Sequence, residues 1–78
     1  MKKNELLSII DSDKFYNLPA LSQFLFFHLA IKSDRHRYIH NANAIIRKLN
    51  AKQEDFKLLI DEGFIVRIDI NIFRVSLS

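Results

Sequence analysis

Apolar residues recur every three to four positions in the stretch that follows Leu18-Pro19. A proline fits the first turn of a helix, because its missing N–H has no partner there in any case. We therefore predict a helix that begins at Asn17–Pro19 and continues to about Ser33. This helix is apolar around most of its circumference, so we expect it to be the central helix on which the others pack.

Two shorter helices follow from the same periodicity. The first begins at Asn41 or Asn43, either of which can cap it, and ends near Leu49. The second covers about residues 52–62. Asn50 lies between them and predicts a tight turn, because asparagine tolerates positive φ. Together these two segments predict a pair of helices joined by a short turn.

The last part of the chain alternates between apolar and polar residues. Gly63 is typical of a helix end, and the alternation after it predicts a β-hairpin over residues 64–78. The alternating apolar positions are Phe64, Val66 and Ile68 on one strand and Phe73, Val75 and Leu77 on the other. We predict Asn71 at the left-handed position of the turn. Two short apolar segments remain. The segment 38–40 predicts a short strand, and the segment 6–10 fits either a helical turn or an edge strand, of which we favour the strand.

The order helix, short strand, helix, helix, hairpin predicts an α+β fold. It is the order of a small winged helix-turn-helix, with three helices, a C-terminal hairpin wing and a short strand between the first two helices. At 78 residues the chain is one domain, 1–78, with a disordered tail over 1–5.

The chain has no cysteine and no apolar run near the ~18 residues of a membrane span. We therefore expect a cytoplasmic protein with no membrane partner.

The net charge of +3 is unevenly distributed. Residues 35–57 contain six basic and two acidic residues, a sum of +4, whereas residues 1–34 sum to zero and 58–78 to −1. A basic middle third favours an anionic partner, nucleic acid first. The alternative at this point is a solvated surface that happens to be basic.

The outward face of the 52–62 helix provides the chemistry for DNA. Glutamine can read adenine with two hydrogen bonds, and lysine can reach guanine or a phosphate. The second helix would contact backbone phosphates, and the wing would contact an adjacent groove or backbone. The candidate DNA-binding residues are Asn43, Arg47, Lys48, Lys52, Gln53, Lys57, Arg67, Asn71 and Arg74.

Other combinations of reactive residues do not favour catalysis or metal binding. His36 and His40 have a spacing that binds metal on a helix, but here they flank a turn and a strand, so we predict no metal site. Asp11 and Asp13 lack a general-acid partner nearby in sequence, and a turn or capping role fits them better. A single glycine excludes a glycine-rich phosphate loop. We expect no catalytic residue and no cofactor, and an enzyme is the least favoured class.

Two blocks of the sequence also resemble a known family. The first block is Ile9-Ile10-Asp11-Ser12-Asp13-Lys14-Phe15, followed by Leu18-Pro19, Gln23 and Phe26-Phe27-His28-Leu29. The second is Asn50-Ala51, Glu54-Asp55-Phe56-Lys57-Leu58-Leu59-Ile60 and Gly63-Phe64-Ile65-Val66. Over roughly residues 6–77 the chain resembles the N-terminal winged-helix domain of phage replisome organiser proteins, the DnaD-like replication initiators of phages of Gram-positive bacteria.

The chain departs from this family at four places. His36-Arg37 stands where the family usually has Asp-Asp-Gly, and Ala42-Asn43 stands where it has a proline. Ile70-Asn71 replaces a Ser-Gly wing turn, and Lys52 replaces the usual serine cap. A lysine at a helix N-terminus opposes the macrodipole, although a phosphate bound there would offset this.

The resemblance implies a module that binds the double-stranded DNA of a phage origin in the bacterial host cell. It also implies self-association, as a homodimer or higher oligomer, and assembly with host helicase-loading proteins. Two alternatives stay open. One is a protein-interaction or dimerisation winged helix that docks on a host replication or defence protein without needing DNA. The other is a transcriptional repressor, which differs only in its DNA target.

Overall fold

In a computed structural model, residues 1–76 are described. They form an α+β structure of five helices and one three-stranded antiparallel sheet. The helices are α1 Lys3–Ile10, α2 Asp13–Tyr16, α3 Ala20–Ile31, α4 Ala42–Lys48 and α5 Gln53–Asp61, and the strands are β1 Tyr38–Ile39, β2 Ile65–Asp69 and β3 Ile72–Val75. The predicted α+β class is confirmed, whereas the prediction of three helices is wrong.

The sheet has the order β1-β3-β2, so the last strand lies in the middle. Tyr38 pairs with Arg74, and Ile65 pairs with Val75. The register between β2 and β3 shifts after Arg67, which faces Phe73 before an irregularity near the turn. The short strand is therefore an integral part of the sheet that the hairpin forms.

The core lies between α3 and the remaining elements. Leu25, Phe26 and Leu29 are fully buried on one side of α3, and this side packs on α4 and α5. The Phe26 ring meets the rings of Phe15 and Phe64 edge to face, with centroids 5.4 and 5.9 Å away. The role of α3 as the helix on which others pack is confirmed, but only for this side.

Two turns have the backbone conformations that their residues predict. Asn50, between α4 and α5, has φ 56°, and Gly63, after α5, has φ 84°. The N–H of Gly63 donates to the carbonyl of Ile60, and the N–H of Phe64 donates to that of Leu59. This pair of bonds is a Schellman motif, which satisfies the last carbonyls of α5 and directs the chain into β2.

Gly63→Ala should destabilise the protein by about 1 kcal/mol, because a side chain is disfavoured at a left-handed φ. An added Cβ would lie 3.7 Å from the Lys14 Nζ, which is ordinary contact distance, so crowding adds little. Urea denaturation measures the loss. Gly63→Asn is the matched control and should lose less, because asparagine tolerates this conformation. An equal loss in the two variants would show that φ is not the cause.

The N-terminal segment is helical, so the predicted edge strand at 6–10 is wrong. Leu6, Ile9 and Ile10 follow helical spacing and pack against the core, and Glu5 accepts a hydrogen bond from the backbone N–H of Lys2 at 3.1 Å. The residues predicted as a tail include the first turn of α1, which begins at Lys3.

The short helix α2 was not predicted. The Ser12 side chain accepts a hydrogen bond from the N–H of Phe15 at 3.2 Å, which is a helix cap. The Phe15 ring is buried, so α2 contributes an aromatic residue to the core.

The hairpin differs from the prediction in which residues face inward. Phe64 and Ile65 are both buried, whereas Val66 and Ile68 are exposed. Within residues 1–76 the non-glycine residues with positive φ are Arg37 and Asn50, so the left-handed position predicted for Asn71 is wrong. The strand pairing instead shifts in register between Arg67 and Asp69, just before the turn. Leu77 lies outside the described residues.

Candidate nucleic-acid interface

A groove of about 550 Å³ runs between α5 and the β2–β3 hairpin. Phe56 and Phe73 form part of its floor, with ring centroids 4.8 Å apart. The candidate residues that line it are Asn43, Gln53, Lys57 and Arg67. The structure therefore brings four of the nine predicted residues to one place, from α4, α5 and β2. We call these four the groove residues.

The amphipathic character of α5 places two of the groove residues. Phe56 and Leu59 are buried against the core, and Gln53 and Lys57, four residues apart, are exposed on the adjoining side of the helix. The Gln53 Nε2 lies 3.5 Å from the Asn43 Oδ1, so the side chains of α4 and α5 meet at the start of the groove.

The hairpin holds Arg67 over the groove floor. Its Nε donates to the carbonyl of Asp69 at 3.4 Å, and its Nη2 donates to the carbonyl of Ile70 at 3.1 Å. The guanidinium lies 5.6 Å from the centre of the Phe73 ring. These contacts fix the orientation of an exposed cation, so less side-chain entropy is lost when it binds an anion.

Acidic residues occupy the first turn of α5. The Asp55 carboxylate accepts the N–H of Lys52 at 3.0 Å and so caps the helix. The buried Ser22 hydroxyl donates to the Asp55 carbonyl at 3.3 Å. With Glu54 beside it, this carboxylate already offsets the positive end of the helix dipole. A phosphate at this surface would therefore be held by Lys57 and Arg67 rather than by the helix N-terminus.

The remaining candidates lie around the groove or away from it. Arg47, Lys48 and Lys52 are exposed at the end of α4 and the start of α5. Asn71 lies at the hairpin turn and lines a second hollow, of about 250 Å³, together with Asn43. These residues extend the polar surface beyond the groove itself.

Arg74 is separated from the groove. It lies between the buried residues Phe73 and Val75 on β3, so its side chain emerges on the other face of the sheet. There its guanidinium lies 5.9 Å from the Tyr38 ring centre. Its Nε is buried and has no hydrogen-bond partner among residues 1–76. Arg67 and Arg74 therefore cannot act on one groove.

The cations of the candidate set make no ion pair with the described part of the chain. The two pairs found there join Arg37 to Glu5 at 3.8 Å and His40 to Asp34 at 3.3 Å. Lys57 and Arg67 are outside both pairs. Their charges are therefore not neutralised within residues 1–76 by a carboxylate in direct contact.

The two histidines that were considered for metal binding lie at an Asp34 turn. The backbone N–H of Tyr38 donates to the Asp34 carboxylate and lowers its pKa below the ordinary value; the His36 N–H and the His40 ring act in the same direction. No group of three or more His, Asp or Glu side chains within residues 1–76 is placed to hold a metal ion.

Two exposed residues that line the groove, Glu54 and Ile70, were not among the predicted site residues. Ile70 is 73% exposed at the hairpin turn, and its N–H donates to the Asp69 carboxylate at 2.7 Å. An isoleucine inside a predicted turn is unusual, and this was the feature of the sequence that could have marked Ile70 as a site residue.

Comparison of the chain with protein-family models, with curated proteins and with solved structures finds no match. Among the helices of residues 1–76, none has the length and apolar character needed to cross a bilayer.

Proposed function

We propose that this protein is a winged-helix DNA-binding module, with α4 and α5 as the helix-turn-helix pair and the β2–β3 hairpin as the wing. The observation that carries the proposal is the groove, because it brings amide and cationic side chains from three separate elements to one exposed surface. Recognition helices of this class lie in the major groove of DNA, where such side chains meet base edges and phosphates.

The roles of the groove residues follow from their chemistry. Gln53 presents an amide that can form two hydrogen bonds with adenine. Lys57 reaches a guanine or a phosphate from the next turn of α5, and Arg67 binds a phosphate from the wing. Asn43 contacts Gln53 and so orients its amide. Arg47, Lys48 and Lys52 add phosphate contacts at the edge, which position the module without specifying sequence.

The biological setting that we propose rests on the two sequence blocks described above. In that setting the DNA is the double-stranded origin of a phage or prophage, inside the cytoplasm of a bacterial host. The module would then help to assemble a replisome with host helicase-loading proteins. A transcriptional repressor would use the same residues on a different target sequence.

A fluorescence anisotropy titration of a labelled duplex tests DNA binding. With about four phosphate contacts, affinity should fall roughly 100-fold as salt rises from about 50 to about 200 mM, because binding releases condensed counterions. Sequence-independent binding is expected at roughly 1–100 µM, and phage-origin fragments should bind more tightly. A failure to bind any duplex at the lower salt concentration would refute the proposal.

A further inference from the structure

Ile70 stands at the tip of the β2–β3 hairpin with its side chain in solvent. It is 73% exposed, the largest value among the large apolar side chains of residues 1–76. It is not one of the apolar side chains that pack against the core. Isoleucine favours strands and is uncommon in turns. Burial in the core therefore does not explain an isoleucine at this position, although its side chain lines the proposed DNA groove.

The hairpin turn holds Ile70 in a fixed position. Its N–H donates to the Asp69 carboxylate at 2.7 Å, and its carbonyl accepts a hydrogen bond from the Arg67 Nη2 at 3.1 Å. Both backbone polar groups of Ile70 are therefore bonded within the turn. Groups that are ordered before binding lose less entropy when they bind. The turn thus presents a preorganised apolar side chain.

The chemistry around the tip disfavours a contact with phosphate. The Asp69 carboxylate is exposed beside Ile70 and would repel a phosphate oxygen. The isoleucine side chain itself offers no hydrogen-bond donor. In a DNA complex the tip is therefore suited to contact the bases rather than the charged backbone.

The contacts along the groove floor place the tip beyond the phosphate-binding cation of the wing. Phe56 of α5 meets Phe73 with ring centroids 4.8 Å apart, and the Arg67 guanidinium lies 5.6 Å from the Phe73 ring centre. Arg67 in turn bonds the Ile70 carbonyl. Ile70 therefore lies at the end of the groove away from α5, and Arg67 lies between the two.

This order determines which part of the DNA the tip meets. In the proposed DNA complex, on which this inference rests, α5 enters the major groove, and Lys57 and Arg67 hold phosphates of one strand. The phosphate backbone of a strand separates the major groove from the minor groove. A side chain beyond that strand therefore lies in the minor groove. Apolar side chains that enter the minor groove insert between base steps, partly unstack them and kink the duplex.

We propose that Ile70 is an apolar wedge that enters the minor groove and unstacks a base step when the module binds DNA. Unstacking is easiest at pyrimidine–purine steps such as TA and CA, whereas A-tracts are stiff. The wedge therefore makes the module select DNA by its deformability. The preferred ligand is a duplex with TA or CA steps at the position of the hairpin tip.

Anisotropy titrations with two duplexes of equal length and base composition test the proposal. One is an alternating TA duplex and the other is an A-tract, so both contain the same number of phosphates and thymine methyl groups. The wild type should bind the alternating duplex roughly 10-fold more tightly, because its TA steps unstack more easily. Ile70→Ser should lose most of this preference. Equal binding of both duplexes by the wild type would refute the wedge alone, and a failure to bind either at low salt would refute the proposed function as well.

Two further variants separate the wedge from a general change in the hairpin. Ile68 is exposed two residues earlier and does not line the groove, so Ile68→Ser is the matched control and should keep the preference. Ile70→Leu retains an apolar side chain of similar size and should keep it too. A loss of the preference in either variant would overturn the proposal. Circular dichroism confirms that each variant is folded.

Energy transfer between dyes at the two ends of a short alternating duplex measures the kink itself. Saturation with the wild type should raise the transfer efficiency, because a kink brings the ends closer together. Saturation with Ile70→Ser should leave the efficiency close to that of free DNA. An unchanged efficiency with the wild type, or the same rise with both proteins, would contradict the wedge.

Discussion

Replacing Phe26 with alanine is expected to lower the free energy of unfolding by about 3–5 kcal/mol. The side chain is fully buried, and its ring contacts Phe15 of α2 and Phe64 at the start of the hairpin. Its removal leaves a cavity where three elements meet. A chain of this size has a total stability of only about 4–12 kcal/mol, so the variant should be close to unfolded. Urea denaturation followed by circular dichroism measures the change.

The matched control is Phe24→Ala, the same substitution two positions earlier on α3. Its side chain is about half exposed, so the expected loss is under about 1 kcal/mol. Both variants should be measured at the same protein concentration, because any association would make the apparent stability depend on concentration. Similar losses at the two positions would show that α3 does not pack on its Phe26 side.

The second large effect concerns DNA. The double variant Lys57→Glu with Arg67→Glu should weaken binding to a duplex by roughly 100-fold or more, because two attractive phosphate contacts become repulsive. The slope of log affinity against log salt should also fall by about 2, one for each lost contact. Both side chains are exposed, so the fold should be retained. Anisotropy titrations at several salt concentrations measure both quantities.

A charge-matched control separates this local effect from the change in net charge. Lys3→Glu with Arg35→Glu alters the net charge by the same amount at exposed positions. These residues lie near Arg37, which contacts Glu5 of α1 and the Val75 end of β3, away from the hairpin turn. The control should lose only a few-fold in affinity. Equal losses in the two double variants would refute the groove as the binding site.

Much of the helical structure could be predicted because its signals are local. The starts and ends of α3, α4 and α5 fall within a few residues of the prediction, and Asn50 and Gly63 have the positive φ values expected of them. Segment 6–10 was assigned to a strand rather than to a helix. A segment of five residues rich in apolar side chains fits the helical and the strand periodicity equally well. The Glu5 cap, a helix signal, was overlooked.

The hairpin faces could not be obtained from alternation alone. Phe64 is buried before the strand begins, and Ile65 is buried as its first residue. Counting from Phe64 therefore assigned every later residue of β2 to the wrong side. The packing of the hairpin on α5 decides this. Phe73 of β3 meets Phe56 of α5 with ring centroids 4.8 Å apart, and the order of apolar residues along β2 does not reveal that contact.

The candidate site also combines residues that local spacing could place with residues that only the folded structure places. Gln53 and Lys57 could be placed together from helical spacing, and Asn43 was placed on the neighbouring helix. Arg74 was assigned to the same surface as Arg67, but it lies on the other face of the sheet because Phe73 and Val75 point into the core. The capping role of Asp55 also follows from its position in the first turn of α5, where an acidic residue offsets the helix dipole.

The most direct test of the account is an NMR titration of ¹⁵N-labelled protein with a duplex. Binding should shift the amide signals of Lys57 and Arg67 and the side-chain amides of Asn43 and Gln53. The signals of Leu21, Phe24 and Ile31, on the exposed side of α3, should stay nearly unchanged. A complex whose shifts centre on the exposed side of α3, with the groove residues unaffected, would contradict the account.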